Sequence, residues 1–363
     1  MRMEMAETKI NVFNPDMLII ARESRGMTQS ELASALSISQ GKISKVENGL
    51  LSASEEMIKS FSAALDYPED FFLFPDQIYG VGVGLVFHRK RQSLTNKFIN
   101  KLHADMNIRR IHLERLIRSV TIQHDLMIRA LDVDEYKSVE DIARAVRAAW
   151  HIPRGPVKNV TQTIENAGGI IFRWDFGTNL LDAISQWIPG LPPMFFVNSR
   201  FPGDRIRFSL AHELGHIIMH RVPTPDMEEQ ADHFAAEFLM PAEDIGPHLN
   251  NVSLPKVASL KPFWKVSMAA LLVRAKSLSK VNDKQYSYFW MQMGKAGYRT
   301  KEPPELNIPI EEPTFLKELF DVHRTELGYS VSDFRSMFRI SDGQFRSMYS
   351  DQKTPLSIVE RSV

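Results

Sequence analysis

The stretch "TQSELASALSISQGKISKVENG", residues 28–49, constrains the fold more than any other. Thr28 with Glu31 three residues on reads as a capping box, so a helix starts there. Leu32, Ala33 and Leu36 fall on its inner face. "SIS" makes a tight turn, and Ser39 caps a second short helix with Ile43 and Val46 inward. Asn48-Gly49 ends it. Upstream, Pro15 sits in the first turn of a helix that Gly26 closes. Two short helices joined by a tight turn, with a small residue (Ala33) at their crossing, form a helix-turn-helix unit. The first residues of the second helix then point into a DNA major groove. These are Gln40, Gly41 and Lys42, with Ser44 and Lys45 one turn on. Glutamine reads adenine, and lysine reaches guanine or phosphate. Gln29, at the start of the preceding helix, is placed for a phosphate. The competing reading is a helical bundle with some polar residues.

The segment resembles the Cro/C1-type (XRE) helix-turn-helix family through those 22 residues and the methionine before them. The resemblance implies five helices over about residues 10–72 and a homodimer on a double-stranded DNA operator.

A second feature concerns chemistry. "RFSLAHELGHIIMHR", residues 207–221, places His212 and His216 four apart in an apolar helical run, with Glu213 after the first. On a helix the two histidines share a face about 6 Å apart along the axis. Both can reach one zinc at roughly 2.1 Å. Glu213 can serve as general base toward water activated by the metal. The pattern alone is weak; two structural histidines on a helix are the plain alternative. His220 lies about 12 Å from His212 along the axis, too far for a shared ion, and reads as a helix-end residue complementing the dipole. The next helix, "MEEQADHFAAEFLMPAEDI", offers Glu228 or Asp232 as a third ligand. Asp232 could instead orient a histidine N–H from behind. Its stripe Ala231, Phe234, Phe238 and Leu239 is apolar, and "RVPTPD" turns the chain so that the two helices lie antiparallel.

At "RIRFSLAHELGHIIMH", "EEQADHFAAEFLMP" and "LKPFWKVSMAALLVRAKSL" the chain resembles the ImmA/IrrE family of zinc metallopeptidases, over roughly residues 135–300. By position, the resemblance puts the third metal ligand on Glu228 and sets Asp232 where the family carries Asn or Asp, so Asp232 is expected behind a histidine ligand rather than on the metal. It implies one zinc ion per chain on His212, His216 and Glu228, with Glu213 catalytic. Another divalent metal, such as manganese or iron, fits the same donors.

No cysteine occurs in the 363 residues, so disulfides, thiolate metal sites and a cysteine nucleophile are excluded. Net charge is zero, which gives no global polyanion-binding signal. Locally, Arg89, Lys90, Arg91, Lys97, Lys101, Arg109, Arg110, Arg115 and Arg118 stand against only Asp105 and Glu114. One or two amphipathic helices with a basic outer face are expected, either as a solvated linker or with "HRKRQ" touching DNA phosphates. No membrane-spanning run or apolar leader is read, so the expected address is the cytoplasm, with no membrane partner.

Three strands are expected at "IIFRW", "LDAIS" and "PMFFVNS", before the histidine helix. Beyond "GYRTKEPPELNIPIEEP", the C-terminal stretch can be laid on the first domain at one offset. Gly26 matches Gly328, Thr28 Ser330, Leu32 Phe334, Leu36 Phe338, Ser39 Ser341 and Ile43 Phe345, but Arg335 replaces Ala33. A single long helix there would end that idea.

The expected architecture is multidomain and mainly α. An all-α helix-turn-helix domain (10–72) leads into a basic helical linker (73–134). An α+β, zincin-like metallopeptidase domain (135–300) and a small helical C-terminal module (310–363), helix-turn-helix-like in pattern, follow. The expected function is a DNA-binding transcriptional regulator whose zinc endopeptidase cleaves a repressor or antitoxin-type protein. The alternative is a transcription factor whose peptidase-like domain senses or dimerises without proteolysis.

Overall fold

A computed structural model describes residues 12–80, 94–122 and 126–349. Among them lie sixteen α-helices and one three-stranded sheet, so the protein is mainly α and multidomain. The chain divides into two compact units. Of the described residues, one holds 12–80, 94–121 and 317–349; the other holds 122 and 126–316. The motif "HRKRQ" lies outside the described residues.

The first unit begins with α1 (Pro15–Ser24), α2 (Gln29–Ala35), α3 (Gln40–Glu47) and α4 (Glu55–Leu65). The fifth element is a 3-10 turn, Glu69–Leu73, rather than an α-helix. Each start has a local cause. Asn14 caps α1, with Pro15 in its first turn; Thr28 and Glu31 form the capping box of α2; Ser39 caps α3. Met17, Leu18, Ile20, Leu32, Ile43, Val46 and Phe61 fill the core between these helices. The middle segment forms one long helix, α5 (Asn96–Ile117), packed on α1. Its basic residues are not all outward, contrary to the sequence expectation. Arg110 is 1% exposed. It donates to the Gln77 carbonyl at 2.8 Å and to Glu114 at 3.2 Å. Arg115 pairs with Asp76 at 2.5 Å and lies over the Phe74 ring. Composition shows the charge but not which carboxylates and carbonyls await it.

The second unit opens with α6 (Val139–Ala149) and α7 (Val160–Asn166). The strands are β1 (Ile170–Trp174), β2 (Ala183–Gln186) and β3 (Met194–Asn198), in the order β1-β3-β2. β1 is parallel to β3, and β2 is antiparallel to it. β2 is thus an edge strand. Next come α8 (Gly203–Met219) and α9 (Met227–Leu239), then α10 (Ala242–Ile245), α11 (Leu254–Trp264), α12 (Met268–Ser277) and α13 (Asp283–Lys295). The core lies between the sheet, α8, α9 and the helices behind α9. Two buried ion clusters pin it. Glu237 on α9 is held by Arg274 and Arg144. Lys261 joins Asp204 at the start of α8 to Glu302. The proline-rich joint lies as a strap on this unit: Glu311 pairs with the buried Arg207 and accepts from the Val160 and Thr161 amides. A Cβ on Gly203 would stand 2.5 Å from the carbonyl oxygens of Ile308 and Pro309, so only glycine lets the strap cross α8 there.

The remaining helices of the first unit are α14 (Phe315–Thr325), whose last turns belong to it, α15 (Val331–Phe338) and α16 (Asp342–Tyr349). The segment is not one long helix. It follows the first helix-turn-helix at the offset already noted. Gly328 takes φ +71° as Gly26 takes +63°. Ser330 and Asp333 form a capping box as Thr28 and Glu31 do. The turn residues Ser37 and Arg339 are both left-handed, at φ 54° and 50°. Even the turn amide bonds correspond: Ile38 to the Ala33 carbonyl, Ile340 to that of Arg335.

Candidate metal centre and DNA-reading face

α8 is helical through both histidines because its apolar face, Ile206, Leu210, Leu214 and Ile218, packs inward. α9 approaches it closely at Gly215, where a Cβ would meet the Phe234 ring at 3.1 Å. Ala231, Phe234, Phe238 and Leu239 are all fully buried, so α9's apolar stripe faces the core. The helices run antiparallel: Gln230 meets His220, and Asp232 meets His212. This crossing brings Glu228 against both histidines.

His212, His216 and Glu228 each offer a ligand atom, all within 4.8 Å of one another. The two Nε2 atoms face each other at 3.0 Å. Glu228 places Oε1 at 3.3 Å from His216 Nε2 and Oε2 at 3.8 Å from His212 Nε2. On the far side of each ring, Nδ1 is engaged. His212 Nδ1 bonds Asp232 Oδ1 at 2.8 Å, and His216 Nδ1 bonds His220 Nδ1 at 2.9 Å. Two imidazole nitrogens and a carboxylate thus converge on one point from both helices. Such a donor set suits a divalent cation, and its His-His-Glu chemistry suits zinc. Asp232 does not join the cluster; it holds His212 from behind.

Burial disfavours a charged His212, but the Asp232 hydrogen bond and the charges of Glu213, Asp232 and Glu228 raise its pKa above the usual imidazole value. His220 behaves oppositely. Burial, opposed by its Gln230 bond, and the neighbouring His216 and His212 lower its pKa to about 4. A neutral, 7% exposed ring does not complement the helix dipole as a cation. The sequence reading of His220 is therefore corrected: helical spacing excludes it as a ligand, but it touches one. The i,i+4 spacing puts His220 beside His216, whereas its second contact, with Gln230, depends on how the two helices meet.

Glu213 is buried beside the cluster and accepts from Ser185 Oγ, on β2, at 2.6 Å. Ser185 is the other residue that sequence reasoning missed. The alternation of β2 puts it on the face toward α8, which packs on that strand.

In the first unit, α3 exposes Gln40, Gly41, Lys42 and Lys45, with Ser44 half-buried. Behind them runs one hydrogen-bonded chain. Buried Arg22 grips Glu47 through Nε at 2.6 Å and Nη2 at 3.0 Å. Gln29 donates to Glu47 at 2.7 Å, and Gln40 donates to the Gln29 side-chain oxygen Oε1 at 2.7 Å. Gln29 and Gln40 are thereby presented together at one edge of the unit.

Two family models match. Residues 18–72 match a family described as helix-turn-helix, and residues 165–276 match the IrrE N-terminal-like domain. No curated protein matches the chain. The second match spans α8, α9 and all three converging donors.

Proposed function

We propose that this chain, an XRE-type helix-turn-helix domain joined to an ImmA/IrrE-type peptidase-family domain, is a transcriptional regulator that works by zinc-dependent proteolysis. The observation that carries the reading is the convergence of His212, His216 and Glu228 with a buried carboxylate, Glu213, beside them. Bound there, zinc supplies Lewis acidity to a peptide carbonyl and to water. Glu213 takes a proton from the attacking water and returns it to the leaving amide nitrogen. Ser185 holds the Glu213 carboxylate in place for both transfers. Among the described residues β2 pairs with β3 alone, and in this reading an extended peptide would add along its other edge as a further strand.

The substrate is a repressor or antitoxin-type protein. The DNA-reading domain holds the peptidase at an operator and raises its local concentration near a DNA-bound repressor. A dimer on a symmetric operator in the cytoplasm accords with this reading. No helix among the described residues is long and apolar enough to cross a membrane.

The test compares zinc-loaded full-length protein with its Glu213→Gln variant. Cellular proteins trapped by the variant are identified by mass spectrometry and then offered to both forms. Cleavage of a repressor or antitoxin-type protein by the wild type alone, with equal operator affinity, supports the reading. Equal cleavage by both refutes the role of Glu213. Cleavage by neither, with metal bound, leaves the sensing role in its place.

A further inference from the structure

We propose that Trp187 determines specificity: its exposed indole is the apolar wall of a subsite that takes one bulky apolar side chain of an extended peptide, close to the bond that is cut. The inference rests on the peptidase reading above and adds the substrate chemistry.

The way β2 runs along α8 places the subsite. Asp182, just before β2, pairs with Arg205 at 2.5 Å and accepts from Ser209 at 3.3 Å. Three residues on, Ser185 meets Glu213. As β2 advances, its partners on α8 advance too, so strand and helix run side by side in one direction. Trp187 stands two residues past Ser185, about 7 Å further along the strand. On α8 the same distance is roughly four to five residues beyond Glu213, level with the turn that carries His216. A peptide lying along the free edge of β2 therefore passes Glu213 and Trp187 in succession.

Trp187 does not fill the core. It is 40% exposed, directly after a strand whose four residues are all buried. Its one polar atom is engaged, because Nε1 donates to the Leu191 carbonyl at 3.2 Å. What the ring offers outward is hydrocarbon. The ring is also carried on a tight turn. The Leu191 amide donates to the Ile188 carbonyl at 3.0 Å, and Pro189-Gly190 lies between, with Gly190 at φ +83°, the pattern of a type II turn. An aromatic ring held in this way loses little freedom when a ligand covers it.

A peptide paired along β2 sets alternate side chains on the α8 side of the sheet. The residue beside Ser185 lies at Glu213, and the next on that face lies against Trp187. The selected residue is thus within about two positions of the cut bond. It is large and apolar, because such a side chain removes its own surface and that of the indole from water together.

The plain alternative is that the indole only staples the end of the hairpin through Leu191. The experiment uses zinc-loaded full-length protein as wild type, Trp187→Phe and Trp187→Ala. The probe is a library of synthetic unstructured peptides in which each position is varied in turn, and mass spectrometry reads the cut bonds. The measured quantity is the ratio of cleavage with Phe, Leu or Met at a position to cleavage with Ala there. Each ratio is internal to one sample, so loss of folded protein in a variant does not alter it. Expected in wild type is about a tenfold preference at one fixed position, the low end of what covering a large apolar side chain is worth. Trp187→Phe keeps a ring and drops the bond to Leu191, and should retain most of the preference; Trp187→Ala should abolish it. No preference in wild type, or the same preference in Trp187→Ala, overturns the proposal. Equal loss in both variants also overturns it, in favour of the staple. Titration of fluorescein-labelled Phe and Ala peptides into zinc-loaded Glu213→Gln and Glu213→Gln/Trp187→Ala separates this from the peptidase reading. Tighter binding of the Phe peptides only where Trp187 is present supports the subsite, even where a wild type that cuts nothing refutes proteolysis. Equal binding of both peptides by Glu213→Gln overturns the subsite.

Discussion

Acid should loosen the C-terminal module of the first unit through one residue, His112. Its ring lies 4.3 Å from the Phe338 ring, stacked on it, and Nδ1 hydrogen-bonds the buried Tyr349 hydroxyl at 2.7 Å. Burial, and the charges of Arg115 and Arg109, push its pKa well below the ordinary 6.5. The sign follows from linkage. The folded site holds a neutral ring, whereas an opened site takes up a proton below pH 6.5. The open form therefore binds more protons on acidification, and stability falls as pH falls. At pH 5.5, one unit below the opened-state value, the loss is about 1.4 kcal/mol relative to pH 7.5 and above. That is roughly a tenfold larger open fraction. Hydrogen exchange of full-length protein, followed in peptides from α15 and α16 and corrected for intrinsic pH dependence, measures it. Protection should drop about tenfold between pH 7.5 and 5.5. In His112→Phe the drop should vanish, whatever the variant's baseline. Equal protection at both pH values, or the same drop in His112→Phe, would show that the ring is not the group that titrates.

Two further outcomes concern the DNA face. Lys42→Ala, at an exposed position on α3, should weaken operator binding and lower the slope of log affinity against log salt by about 1, if it meets a phosphate; an unchanged slope in a fluorescence titration would remove it from that role. Glu47→Gln removes the closer of the two carboxylates on buried Arg22, leaving Glu23 at 3.5 Å, which costs up to about 3 kcal/mol and disturbs the chain to Gln29 and Gln40. Chemical denaturation should show that loss in the first unit, together with weaker operator discrimination; unchanged stability would mean that the pair is not the anchor.

How much of this was legible depends on how local each cause is. The capping box at Thr28, the Ser39 cap and the stops at Gly26 and Gly49 are decided within a few residues, so sequence reading places α1 to α3 closely. The strands and α8 follow from apolar runs in the same way. Glu228 needed a family resemblance, because spacing on α9 alone leaves Asp232 equally open; the helix crossing at Gly215 is what separates the two. His220, Ser185 and the buried Arg110 were not legible. Their roles belong to partners 10, 28 and 33 residues away.

The C-terminal module shows the distinction most sharply. Arg335 puts a bulky charge at the crossing where the first helix-turn-helix has Ala33. It does not prevent the turn, because its side chain is 40% exposed and leans toward Asp342, while Phe334, Phe338 and Phe345 stack between the helices. The backbone scaffold is thus retained, down to the left-handed turn residue. The surface is not. Exposed Lys42 corresponds to buried Gln344, and Gln40 to Asp342, which two arginines flank. Exposed Ser37 corresponds to Arg339, which donates to the Asp70 carbonyl and covers the Phe74 ring. Ser341 reaches Asp66. The turn that in the first copy leads into the reading helix is, in the second, the point of attachment to the 3-10 turn and α5. A carboxylate at the head of α16 opposes a phosphate backbone, and an arginine bonded to a carbonyl of its own chain is not available to one. Where the first unit exposes Gln40 and Lys42 on α3, the C-terminal segment thus places a flanked carboxylate and a buried glutamine.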